Sequence, residues 1–153
     1  MPEIRDATEL AARLRIALVP LSRKLRQQNG PDLTASQASA LASIARSGPV
    51  TVGELAELEH VSSPMITKIA KALEEIGLVT RSADPTDGRV TRLGLTAEGT
   101  RRLDQSRRRK NAWLATKLRA LDAHELDAIE AAIPLLERLT EGEPGLPGRD
   151  PAT

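Results

Sequence analysis

The chain contains no cysteine, no phenylalanine and no tyrosine; Trp113 is the one residue of the Phe, Tyr and Trp class, and the histidines are His60 and His124. The absence of cysteine excludes disulfides, thiolate metal sites and thiol-based redox sensing by this chain. Two separated histidines, one in a turn and one at a helix start, give no basis for a metal site and are read as structural. With aromatics at 1%, burial has to rely on Leu, Ile, Val and Ala, a composition that suits packed helices. No stretch approaches the roughly 20 apolar residues of a membrane span, and no apolar run of signal-peptide type opens the chain. A soluble, cytoplasmic protein without a membrane partner is expected. A Gly-rich phosphate loop, a cysteine nucleophile, a serine triad and an active-site carboxylate pair are all missing, so no catalytic residue, cofactor or metal is expected and the chain does not read as an enzyme.

What is present is an uneven charge. The net charge of +1 conceals seven basic and seven acidic groups in residues 1–60, eleven basic against six acidic in 61–110, and four against eight in 111–153. The cationic middle calls for an anionic partner, and the acidic end for a different role. At 153 residues the chain can form one sizeable core, or a small domain carrying further helices that need a partner to cover them.

The cationic middle opens on its most informative stretch. Ile66, Ile69, Ala70, Leu73 and Ile76 recur at steps of three and four, the apolar stripe of a helix facing a core. Ser62 or Ser63 can cap it, Pro64 is tolerated in the first turn, and Gly77 ends it. The outward face then reads Ser63, Thr67, Lys68 and Lys71. Hydroxyls and cations at the positive end of a capped helix suit a duplex groove, where they meet phosphates and base edges.

The remaining elements frame this helix. Leu10, Ala11, Leu14, Leu18, Leu21 and Leu25 form a helical stripe between about Asp6 and Gln28, with Pro20 expected to kink or break it, and Asn29-Gly30-Pro31 stops it. Thr34 and Gln37 have capping-box spacing and start a second helix that runs to about Arg46. After the breaker Ser47-Gly48-Pro49, Thr51 and Glu54 repeat that spacing and open a short helix from Gly53 to Glu59, with Leu55 and Ala56 inward. Glu59-His60-Val61 turns directly into the helix described above, which is helix-turn-helix spacing. Two β-rich runs, Leu78–Ser82 and Arg89–Leu95, flank an Asp-Pro-Thr-Asp-Gly turn and read as a hairpin with Asp87 and Arg89 at its tip. Such a wing can place an arginine in the narrow minor groove. Asp87 is read as orienting Arg89 or closing the turn.

A long helix from Ala97 to about Leu121 follows, with Leu103, Leu114, Leu118 and Leu121 on its apolar side and the run Arg107-Arg108-Arg109-Lys110 pointing around its whole cylinder. That run is assigned to solvent, intersubunit pairing or effector contact ahead of phosphate contact, and Trp113 to packing. Asp122 and Glu125 cap a last helix bearing Leu126, Ile129, Ile133, Leu136 and Leu139, with Pro134 expected to kink or shorten it. The Gly/Pro-rich end from Glu141 has little to bury and is expected to be a flexible tail.

In this order the elements resemble the multiple antibiotic resistance regulator (MarR) family of bacterial transcription factors. The resemblance is carried by Glu54-Leu55-Ala56, Val61-Ser62, Thr67-Lys68, Leu73-Glu74-Glu75-Ile76-Gly77-Leu78-Val79, Asp84-Pro85-Thr86-Asp87-Gly88-Arg89 and Leu95-Thr96-Ala97-Glu98-Gly99. It implies a mainly α fold with a small β-hairpin wing: an N-terminal dimerisation helix in 1–33, a winged helix-turn-helix in 34–96, C-terminal dimerisation helices in 97–140 and a tail in 141–153. It also implies a homodimer on a pseudo-palindromic double-stranded operator, typically a repressor released by a small lipophilic or aromatic-acid effector. Ser62, Ser63, Pro64, Thr67, Lys68, Lys71, Asp87 and Arg89 are the DNA-binding candidates. Two positions depart from the family pattern. Gly88 stands where a further cation is frequent, which weakens the phosphate clamp, and Lys68 stands where arginine is common, which favours phosphate affinity over base reading. The competing reading is a dimeric protein-interaction module that keeps the fold without specific DNA binding. Activator and repressor are not separable from the residues.

Overall fold

A computed structural model describes residues 6–141 of the chain. Among the described residues the elements run α1 (Ala7–Arg26), α2 (Ala35–Ser47), α3 (Val52–Glu59), α4 (Ser63–Glu75), β1 (Val79–Ala83), β2 (Thr91–Leu95), α5 (Ala97–Leu118) and α6 (Ala123–Thr140). This is the mainly helical architecture with a hairpin wing that the sequence implies. The expected flexible tail lies, from residue 142 onward, outside the described residues.

Local chemistry accounts for most boundaries. Thr34, Thr51 and Asp122 each accept the backbone N–H three residues on, while Gln37, Glu54 and Glu125 reach back to the cap residue, closing three capping boxes. Each box satisfies two donors that a helix start would leave orphaned. At the end of α3, His60 takes a left-handed conformation (φ 53°), the bend that lets Val61 N–H reach the Ala56 carbonyl at 3.1 Å and turns the chain into α4.

The core lies inside the winged unit. Leu41 and Ile44 of α2, Leu55 of α3, Ile66, Ala70 and Leu73 of α4, Leu78, and Leu93 of β2 are fully buried, and Leu103 of α5 closes the cluster. Each large side chain so buried contributes roughly 1.5–3 kcal/mol. Val50, in the α2–α3 connection, pairs with Leu93 through reciprocal backbone hydrogen bonds of 3.0 and 2.6 Å, so the wing is fastened along its inner edge to the helix-turn-helix.

Several sequence-based boundaries are corrected. Of the outcomes expected at the prolines, a break at Pro20 and an early end at Pro134 are overturned: each residue lies inside an uninterrupted helix, where one lost hydrogen bond is outweighed by the ladder on either side, and α6 continues to Thr140. Helix α5 ends at Leu118, short of Leu121, because Ala120 and Leu121 bond back only three residues in a tightened last turn. Ile76 is 48% exposed and leaves the core stripe. It is the cap residue beyond α4; Gly77, at φ +75°, donates to Glu74, and Leu78 donates to Leu73 at 2.9 Å, a Schellman closure that puts Leu78 into the place expected of Ile76.

The terminal helices behave differently. Neither α1 nor α6 buries a residue within the chain, and Leu10, Ile16, Val19, Ile129, Ile133, Leu135 and Leu139 stand exposed on them. Leu14, Leu25, Leu114, Leu118, Leu121 and Leu136 are half-buried.

Candidate nucleic-acid interface

Ser62 caps α4, its hydroxyl accepting Met65 N–H at 3.4 Å, with Pro64 in the first turn where its missing donor costs nothing. Ser63 begins the helix with an exposed side chain. Thr67 is exposed as well, but its hydroxyl donates to the Ser63 carbonyl at 2.8 Å, so only its lone pairs and methyl are free to face a partner. Lys68 and Lys71 are exposed and take part in no ion pair among the described residues. The acidic residues of α4 are confined to its last turn, where Glu74 is engaged by Arg81 of β1 at 2.6 Å. The structure therefore brings Ser63, Thr67, Lys68 and Lys71 onto one cationic surface at the start of α4 and ties the far end of that helix to the wing.

Arg89 projects from the hairpin tip with its side chain 92% exposed. Asp87 accepts both its backbone N–H and its Nε at 3.1 Å, and the Asp87 carbonyl takes Val90 N–H. The aspartate thus has the orienting and turn-closing contacts expected of it. These bonds keep residues 84–90 in a turn, which is why β2 begins at Thr91 and not at Arg89. The register pairs Val79 with Leu95 and Ala83 with Thr91.

The sequence places Asp84 in the wing turn but does not announce that it holds the wing. Asp84 is buried at the turn base, where it accepts the Thr86 hydroxyl, Thr86 N–H and Asp87 N–H and pairs with Arg92 Nε. The Thr86 hydroxyl first, then the Arg92 guanidinium and the two backbone donors, hold its carboxyl well below the usual carboxylate range. Arg92 continues to Glu54 at 3.2 Å and to the Pro49 carbonyl at 3.3 Å. One arginine therefore joins the wing turn to the capping box of α3. At the other end of the hairpin, Thr96 caps α5 through Gly99 N–H and donates to the Gly77 carbonyl at 2.6 Å. Gly99 is required there, since a Cβ would overlap the Leu78 carbonyl.

The Arg107–Lys110 run divides as a helix dictates. Arg107 lies 3.7 Å from Asp104, the Arg109 guanidinium rests against Gly30, and Lys110 is half-buried. Desolvation, then the charges of Arg26 and Arg107, lower the Lys110 pKa. Trp113 is half-buried with the Lys117 ammonium 5.7 Å from its ring centre. Among the described residues no group of acidic and histidine side chains could hold a metal ion, and no helix is long and apolar enough to cross a membrane.

Comparison with known proteins matches residues 33–91 to the MarR family, the segment that forms α2 through the wing tip. The HTH-type transcriptional regulator MT0903.1 of Mycobacterium tuberculosis is 35% identical over 136 residues, 88% of this chain and 95% of that protein. The HTH-type transcriptional repressor MdtR of Bacillus subtilis is 27% identical over 128 residues, covering 80% of this chain and 83% of MdtR. In fold, the chain is similar to a point mutant of Staphylococcus aureus MepR bound to an oligodeoxyribonucleotide, with a TM-score of 0.61 at 21% identity over 85% of this chain and 97% of MepR. Matched in sequence along most of its length and in the order of its elements, the chain belongs to the MarR family of winged helix-turn-helix transcriptional regulators, which are DNA-binding proteins and not enzymes.

Proposed function

We infer that this chain acts as a homodimeric repressor, each winged unit entering one half of a pseudo-palindromic operator. The observation that carries the reading is the pairing of an exposed, unneutralised cationic start of α4 with a wing-tip arginine on a braced hairpin. Ser63, Thr67, Lys68 and Lys71 face the major groove, with Ser62 and Pro64 shaping the helix start, while Arg89, oriented by Asp87, takes the minor groove. The exposed apolar faces of α1 and α6 support the dimer, because a two-fold partner would bury them. Residues 1–33 and 97–140 are then the dimerisation segments and 34–96 the DNA-binding unit. The name of MdtR supports repression as the direction of control.

Release by a small ligand fits a cleft of about 430 Å³ between α2, β2 and α5, walled by Ile44, Ala45, Pro49, Leu95 and Leu103 with Arg107 among its lining residues. Asp104, 3.7 Å from Arg107, also lines the cleft, so the apolar walls suit a lipophilic ligand, and an aromatic acid would compete with Asp104 for the arginine. Such a ligand derepresses only if it favours a spacing of the two winged units that DNA does not accept.

Selection of bound duplexes from a random pool, followed by sedimentation of the protein with the selected duplex, tests the reading. The expected product is an inverted repeat with half-sites about 10–10.5 base pairs apart, occupied by two protomers. A pool with no enriched sequence would favour the protein-interaction module.

A further inference from the structure

Within the winged helix-turn-helix, Met65 and Ile76 are the large apolar side chains left exposed, and they stand at opposite ends of α4. Ile76 is the cap residue of the helix, displaced from the core by the turn at Gly77. Met65 has no such origin. It is 54% exposed in the first turn, between the half-buried Ile69 row and the cationic row of Lys68. Side chains on a helix lean toward its N-terminus, so Met65 projects over the end that enters a major groove in helix-turn-helix docking.

The floor of that groove carries donors and acceptors at every base pair, and one apolar group, the thymine C5-methyl. Methionine is unbranched, flexible and polarisable, well suited to covering a methyl from a range of backbone positions. Cytosine and thymine each present a polar atom at the 4-position, so the C5-methyl is the feature by which an apolar side chain separates them. We propose that Met65 is a specificity-determining residue that packs on a thymine methyl in each operator half-site. This rests on the DNA-binding reading above. Recognition is thereby divided: Lys68 and Lys71 supply sequence-independent attraction to phosphate, and Met65 selects thymine.

The test uses a duplex enriched by selection, in which each thymine in turn is replaced by deoxyuridine in both half-sites, removing the methyl and nothing else. Binding is followed by fluorescence anisotropy for the wild type, Met65→Ala and Lys68→Ala. At one thymine per half-site the wild type should lose about fourfold per methyl, roughly fifteenfold for both, as expected for one buried methyl group. Met65→Ala should bind the two duplexes equally, while Lys68→Ala should be weaker on both and keep the full sensitivity. Because Met65 is exposed, the alanine variant should melt at the wild-type temperature. Equal loss in the wild type and Met65→Ala, or no thymine whose methyl matters to the wild type, would overturn the assignment while leaving DNA binding in place. Failure of the wild type to enrich any duplex would instead remove the DNA-binding reading, and this proposal with it.

Discussion

Alanine at Arg89 and alanine at Lys68 should weaken DNA binding in two distinguishable ways. In the free protein Arg89 pairs with Asp87 across an exposed surface, an interaction worth about 0.2–1 kcal/mol, so Arg89→Ala should leave folding and assembly almost unchanged. On an operator, losing a specific arginine contact costs about 1–3 kcal/mol per half-site. A dimer carries the substitution twice, and the low end already corresponds to about thirtyfold weaker operator binding. Among the described residues Lys68 has no ion-pair partner to lose. As a phosphate contact it contributes about 0.9 to the slope of log affinity against log salt, or about 1.8 for two copies, so between 50 and 200 mM salt Lys68→Ala should lose roughly tenfold less affinity than the wild type does. Anisotropy titrations at several salt concentrations, against operator and scrambled duplexes, read both effects. Arg89→Ala should reduce the preference for operator; Lys68→Ala should weaken both duplexes and flatten the slope. An Arg89→Ala dimer with wild-type operator affinity would refute the placement of the wing tip in the groove.

Other substitutions probe the frame. Gly99→Ala drives a methyl into the Leu78 carbonyl and should destabilise by about 1–3 kcal/mol, lowering the melting temperature by about 2–4 °C for each of those kcal/mol in a thermal circular-dichroism scan. Because the folded-state pKa of Asp84 is depressed, its stabilisation is present above the ordinary carboxylate pKa of about 3.9 and is lost as pH falls through the lower folded value. The stability gap between wild type and Asp84→Asn in urea titrations should therefore be constant from about pH 5 to 8 and shrink below about pH 4. Ile133→Glu places a charge on the exposed face of α6; analytical ultracentrifugation should show the dimer weakened by about a hundredfold, equivalent to ~2.7 kcal/mol, with the helical content unchanged.

The sequence made local chemistry legible and long-range closure opaque. Three capping boxes, the Ser62 cap and the Gly77 exit each depend on residues within four or five positions, and all stand where spacing places them. The exposed candidates Ser63, Thr67, Lys68, Lys71 and Arg89 were legible too, because a stripe of buried residues fixes which side of α4 is left outside. The Arg92 link to Glu54 spans thirty-eight positions, and no pattern in either segment announces the other. The bridge between Val50 and Leu93 was missed for the same reason: Gly48-Pro49 reads as an interruption, while its strand partner lies beyond the whole helix-turn-helix. Ile76 fits the helical period, yet the Schellman turn replaces it with Leu78, a competition between periodicity and capping that periodicity alone cannot decide. Met65 lies outside the apolar stripe and carries neither hydroxyl nor charge, so the pattern of the outward face does not mark it.

The central claim is tested most directly by binding of the purified protein to DNA from immediately upstream of its own coding sequence, measured by anisotropy at two salt concentrations against a scrambled duplex of equal length. Tight binding that favours the upstream duplex and falls steeply with salt is the expected result. Equal, weak binding to both duplexes, repeated when genomic fragments are offered for selection, would contradict it.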